Sequence, residues 1–162
     1  DTQQRALNFW LLGSLAPSQW TTVLAVLPPV LLALIGTHTL QRPLDALALG
    51  EAQARVMGVN VKRLQLMCVG LTALAVGAVT AVIGMVGFIG LLAPHLVRLL
   101  LGPRHQVVLP GSALLGACLV MLADTAARTV AAPVELPLGV LTGLIGAPVF
   151  LYLLQQRGPR AH

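Results

Sequence analysis

Apolar stretches of about 20 residues alternate with short polar knots along most of this sequence, and about 20 residues of helix are what a hydrocarbon core roughly 30 Å thick requires. Residues 20–40, WTTVLAVLPPVLLALIGTHTL, carry no charge and predict a first span. Pro28 and Pro29 predict a kink in it, tolerated in lipid where neighbouring helices satisfy the freed carbonyls. Residues 64–85 predict a second uncharged span, in which Gly70, Gly77 and Gly84 recur every seven positions and offer a flat stripe for close approach of another helix. Residues 87–102, GFIGLLAPHLVRLLLG, are apolar but short for a crossing and contain Pro94 and Arg98; they are read as a short third span. Residues 109–130 predict a fourth, with the small residues of GSALLGA inside it and Asp124 and Arg128 near its far end. Residues 137–154 predict a fifth, opened by a proline in a favourable first-turn position. Within it Gly139, Gly143 and Gly146 share one helical face. The expected fold is all-α: a polytopic membrane helix bundle of about five spans, with short helices in the polar insert between the first two.

The longest polar insert, residues 41–63, holds Arg42, Asp45, Glu51, Arg55, Lys62 and Arg63 and must lie outside the hydrocarbon. Between residues 43 and 58 the local signals describe two short helices, LDALAL stopped by Gly50 and EAQARVM ended by Gly58 at a C-cap. Glu51 falls in the first turn, where the helix dipole favours an anion, and Arg55 follows four residues later in the favourable order. Helices this short are unstable alone and must pack against something. They present Leu47, Leu49, Val56 and Met57, which makes a docking surface for a cytosolic subunit; the plainer alternative is an interfacial connector.

Composition supports the membrane assignment. The chain is 57% hydrophobic and 9% charged, with a mean hydropathy of +0.87, whereas soluble domains carry about 25% charged residues. The net charge of +5 is scattered between apolar runs without a basic patch or interleaved aromatics, so no nucleic-acid partner is expected. It fits orientation instead. With the insert on the cytoplasmic side, alternation places Arg42, Arg55, Lys62, Arg63, Arg98, Arg104, Arg157 and Arg160 inside and only Arg5 and Arg128 outside, as the positive-inside rule favours. The opening DTQQRALNFW has neither an initiator methionine nor signal-peptide regions, so the chain is expected to be a piece of something longer. Cys68 and Cys118 lie in apolar runs without CxxC spacing and read as small core fillers, neither disulfide nor metal ligands. His95 lacks a second ligand at metal-binding spacing and reads as a packed histidine; His38, His105 and His162 are expected near interfaces or in the polar tail.

The run E-A-x-A-x3-G, from Glu51 to Gly58, resembles the EAA loop of ABC importer permeases. Preceded by LALG and followed by VNVKRLQL, it is similar to the coupling segment of the FecCD family, which imports iron-siderophores, haem and cobalamin. WLLGS at residues 10–14, GFIGLLAPHLVRLLLGPRHQVVLPGSALLGA, LADTAAR and ELPLGVLTGLIGAPVFLYLL agree in the family's order and together cover nearly the whole chain. The ILP tail of the wider EAA consensus is absent, as in other members of this subgroup.

The resemblance implies the C-terminal half of a ten-helix permease, of single or tandem length, in the bacterial inner membrane. It implies that Gly50, Glu51, Ala54, Arg55 and Gly58 belong to coupling helices seated on a cytosolic ABC ATPase dimer. The other implied partners are a periplasmic substrate-binding protein, a second permease subunit or the N-terminal half of a tandem permease, and the lipid bilayer. No Walker sequence occurs, so this chain is expected to bind no cofactor and not to be an enzyme, with ATP and Mg on the partner ATPase. An iron-siderophore is the expected cargo, ferric chelates being the commoner substrates of the family, with cobalamin or haem as the alternative.

Arg128 has two readings. Locally it is an i,i+4 partner of Asp124; by the resemblance it meets an acidic residue of the binding protein. Glu135, just before Pro137, reads as a helix-start residue. Gly139, Thr142, Gly143 and Gly146 either line the transport pathway or serve packing alone. Two other classes are weaker: an intramembrane enzyme using Asp124, Glu135 and His95, which share no helical face in any one span, and a passive channel subunit that works without an ATPase.

Overall fold

The computed structural model describes residues 1–15, 19–86, 88–130, 132–133 and 136–156. Among them every regular element is a helix: α1 (Thr2–Leu12), α2 (Trp20–Thr39), α3 (Gln41–Ala48), α4 (Glu51–Val56), α5 (Val61–Ile83), α6 (Ile89–Leu101), α7 (His105–Val130) and α8 (Leu138–Gln156). The two main packings are α2 on α5 and α6 on α7; α8 lies against α6 and α7, and α1 against α8. α2, α5, α7 and α8 are each long and apolar enough to cross a membrane.

Hydrogen bonds fix the two ends of the bundle. At one end the Ser14 N–H donates to the Ile83 carbonyl (2.8 Å), the Met85 N–H to Trp10 (3.1 Å) and the Leu138 N–H to Gly13 (2.9 Å). At the other, the His105 N–H donates to the Asp45 carboxylate (2.8 Å). The chain therefore travels the length of the bundle between Met85 and His105, although α6 has only 13 residues, about 20 Å of helix and too little for a core of about 30 Å. The segment read as a third span thus combines a short helix with the non-helical residues around Gly84–Phe88 that precede it; Gly87 lies outside the described residues.

Other boundaries move for local reasons. α5 starts at Val61, because the Asn60 side chain accepts from the Arg63 N–H (3.1 Å) and caps it. Lys62 and Arg63, read as part of the polar insert, thereby sit in its first turn. α7 starts at His105, four residues before the span read from hydropathy, for a reason given below. α2 continues as one helix through Pro28 and Pro29. α1 is a helix that the hydropathy pattern did not announce, its mean apolarity being low.

Close approaches occur at other glycines than the predicted stripe. A Cβ on Gly70 or Gly77 would meet nothing within 4 Å, and Gly84 lies beyond the helix as its C-cap. α2 reaches α5 through Gly36, where a Cβ would sit 2.7 Å from the Leu71 side chain. α6 reaches α7 through Gly111, against Val97 at 2.9 Å, in the GSALLGA stretch. The outward faces remain apolar: Ile35, Leu66, Val69, Leu114 and Leu144 are all more than 60% exposed. Surface of that kind requires lipid or further helices.

Candidate functional site

At the end of the bundle that carries residues 41–63, the insert folds as α3 and α4 on a miniature core. Ala46 of α3, Ala54 of α4 and Val61 of α5 bury one another, and Ala54 has no exposed surface at all. Gly50 at φ +117 and Gly58 at φ +86 let the chain enter and leave a six-residue helix at angles closed to other residues. Glu51 and Arg55 pair at 3.6 Å and both stay largely in solvent, so this contact contributes about 0.5 kcal/mol or less. Leu49, Val56 and Met57 project outward, as the pattern predicts, but Leu47 does not: it packs onto the Ala46–Ala54–Val61 cluster. Beside the outward residues runs a groove of about 510 Å3, lined among others by Arg42, Asp45, Leu49, Met57, Arg104 and Gln106.

Sequence reasoning missed the strongest polar contact of this region. Asp45 of α3 accepts both the His105 backbone N–H (2.8 Å) and the ring Nδ1 (2.7 Å). It caps α7 from another helix, satisfying an N–H that has no partner within α7 and placing a carboxylate at the positive end of the helix dipole. The backbone N–H of His105 is the main reason that the Asp45 carboxyl lies below its ordinary range; partial burial opposes this, and the His105 ring and the Arg104 charge reinforce it. Since an ionised carboxylate only accepts, Nδ1 carries the ring proton. No local signal betrays this contact, because its partners are 60 residues apart.

Toward the opposite end, α6, α7 and α8 enclose an apolar cavity of about 300 Å3, lined by Phe88, Ile89, Leu122, Ala126, Thr142 and Gly146 among others. Gly146 is obligatory there, since a Cβ would stand 2.7 Å from that of Phe88. A Cβ on Gly143 would lie 4.0 Å from the Phe88 ring, at ordinary contact distance. The carbonyl of Gly139 accepts the hydroxyl of buried Thr142 at 3.2 Å. The predicted small face is therefore split: Thr142 and Gly146 reach the cavity, while Gly139 and Gly143 are not among its walls. Arg128 donates from Nε to Asp124 at 3.0 Å, with its side chain half-exposed. His95 stacks edge-on near Phe150, with centroids 6.2 Å apart, and its buried Nε2 has no partner among the described residues. Glu135, Arg157, Arg160 and His162 lie outside the described residues.

The model of the FecCD transport family matches residues 1–156. This chain belongs to that family. It is 46% identical to a hemin transport system permease protein of Yersinia pestis, over 99% of this chain and 48% of that one. It is 43% identical to an Fe(3+) dicitrate transport system permease protein of Escherichia coli, over 90% and 46%, and 41% identical to a cobalamin import system permease protein of Halobacterium salinarum, over 97% and 42%. A solved inward-facing structure of an ABC transporter described as metal-chelate type superposes with a TM-score of 0.89 at 37% identity, covering 96% of this chain and 51% of that one. The chain spans about half the length of the curated relatives it matches.

Within this FecCD chain the residues singled out by resemblance fall into two groups at opposite ends. Gly50, Glu51, Arg55 and Gly58 are at the surface of the end that carries α3 and α4, whereas Ala54 is entirely interior and supports them from beneath. Arg42, Arg55, Lys62 and Arg63 lie on α3, α4 and the first turn of α5, Arg98 is in the last turn of α6 and Arg104 immediately precedes α7, whereas Arg128 is near the far end of α7. The long apolar helices and the family place the protein in the membrane as a multi-pass chain.

Proposed function

We propose that this chain is the C-terminal half of an ABC importer permease that moves an iron-siderophore complex across the bacterial inner membrane, driven by ATP hydrolysis on a separate subunit. The observation that carries this reading is the coupling end: two short helices held on a buried alanine pivot, offering Glu51, Arg55, Val56 and Met57 beside a groove flanked by Arg42 and Arg104. A surface that mixes exposed apolar and charged side chains on a rigid support is suited to docking another protein. Closure of the ATPase dimer would displace α3 and α4 and shift the spans between inward-open and outward-open states.

Glu51→Arg inverts the charge at the start of α4 and sets two guanidinium groups one turn apart. The variant is expected to insert normally, since position 51 is exposed, and to lose at least about tenfold in ATPase co-purification, in the range of 1–3 kcal/mol for a docking residue. Undiminished co-purification would remove the coupling assignment.

At the other end Arg128 is placed to engage an acidic residue of a periplasmic binding protein while its Nε stays on Asp124. Arg128→Glu is expected to slow association of that protein several-fold at low salt, with the difference shrinking as salt rises through about 0.15 M. Stopped-flow association at several salt concentrations checks it, and identical rates throughout would exclude the contact.

A second reading of the cargo rests on the similarity to the hemin and cobalamin permeases: haem or cobalamin, carried by the same mechanism. Uptake of radiolabelled ferric siderophore against haem and cobalamin, in proteoliposomes holding the complete transporter, separates the two.

A further inference from the structure

We infer that Asp45 is a positioning residue for transport: its carboxylate fastens the coupling segment to the first turn of α7, so that α3, α4 and α7 move as one body. The inference rests on the ABC importer reading above and assigns the route by which motion of the coupling helices reaches the spans.

Besides its chain continuity with α2 and α5 and the Gln41–His38 hydrogen bond to α2 (3.1 Å), the coupling segment is held to the bundle by two chemically different attachments. Its apolar attachment runs through Ala46, Ala54 and Val61 to α5. Contacts between such small side chains are non-directional and set no preferred line along which force is passed on. Its polar attachment is Asp45 on His105, two bonds of 2.8 and 2.7 Å from one carboxylate oxygen to a backbone N–H and a ring Nδ1. Directional bonds to an ionised acceptor resist both separation and sliding. The backbone N–H belongs to α7 itself, so force on α3 is delivered to the main chain of α7 rather than to a swinging side chain. Arg104 lies in the same groove and adds positive charge next to the carboxylate.

What α7 connects gives the fastening its consequence. With 26 residues it is the longest helix, about 39 Å at 1.5 Å per residue. Along its length it supplies Leu119, Leu122, Ala123 and Ala126 to the cavity wall, and near its far end it carries Asp124 and Arg128. A push on the coupling segment therefore arrives at the cavity and at the opposite rim through a single rigid rod. α6, packed along α7 with Gly111 tight against Val97, follows it.

The test uses the full-length permease with its ATPase and binding protein in proteoliposomes. It compares wild type, Asp45→Ala and Asp45→Asn, whose amide oxygen still accepts from the His105 N–H. Asp45→Ala is expected to lose at least about tenfold in cargo moved per ATP hydrolysed, the loss expected for hydrogen bonds to a charged group, with Asp45→Asn recovering to within about threefold of wild type. Spin labels at positions 53 and 106, in the permease without ATPase, are expected to give one narrow distance distribution in wild type and a broadened one in Asp45→Ala. Wild-type cargo per ATP in Asp45→Ala would overturn the proposal. So would an unchanged label distribution in that variant, whatever its transport. A wild-type permease that neither binds the ATPase nor transports would overturn the importer reading instead, while the label measurement still decides the fastening.

Discussion

Gly13→Val is expected to destabilise the bundle by about 3 kcal/mol or more and to leave little folded permease. Gly13 has φ +70, and a Cβ there would stand 2.5 Å from the Met85 carbonyl oxygen and 3.2 Å from that of Ile83. The first is far inside van der Waals contact, and it is made with backbone, which cannot rotate away as a side chain can. A β-branched residue adds the strain of left-handed backbone, about 1–2 kcal/mol. Relief of the clash requires residues 10–14 to part from residues 83–85, which the Met85–Trp10 and Ser14–Ile83 hydrogen bonds join, while Leu138 donates to Gly13 alongside them. Each is worth about 1 kcal/mol, and more if the groups are left unsatisfied in lipid. The joint gathers α1, α5 and the start of α8, so the lesion is not local. Fluorescence-detected gel filtration after heating in detergent checks it, with Gly13→Ala expected between valine and wild type; a valine variant melting with wild type would show that the joint carries no stability.

How much of this was legible in the sequence depended on the distance over which each feature acts. The apolar runs gave four long helices because hydropathy summed over about 20 residues outweighs local detail, two adjacent prolines included. Glu51–Arg55 and Asp124–Arg128 were legible for the opposite reason: both are pairs at i,i+4 and follow from helical pitch alone. Asp45–His105 joins residues 60 apart, and periodicity says nothing of which loop end meets which helix. The seven-residue glycine spacing in α5 identified a face but not its occupant; α2 lies elsewhere on α5, at Leu71, and Gly70 and Gly77 face open space. α6 fell short because the crossing is shared with non-helical residues, which a search for continuous apolar helix does not credit. The motif resemblance assigned Ala54 with Glu51 to the coupling helices and could not separate the buried support from the exposed contact.

That separation makes Ala54→Leu the more damaging change at the coupling end, although Ala54 can touch no partner. Its methyl is enclosed by Ala46 and Val61, with no exposed surface, and its carbonyl accepts from the Val59 N–H at 2.9 Å, which closes the turn after α4. Three added carbons have no space to enter, and overpacking costs about 1–3 kcal/mol. In a long span that penalty would be absorbed; α4 has six residues and no stability of its own. It must therefore lift from the pivot, carrying Glu51, Arg55, Val56 and Met57 out of register together. Glu51→Arg alters one contact on a correctly placed surface, whereas Ala54→Leu displaces the whole surface. The expected result is a permease that inserts and melts within a few degrees of wild type, because α2, α5 and α7 do not depend on α4, yet loses at least about thirtyfold in ATPase affinity, roughly 2 kcal/mol. Cross-linking to the ATPase and ATPase titration by light scattering measure it. Affinity within twofold of wild type would overturn the claim that the buried Ala54 holds the docking surface in place.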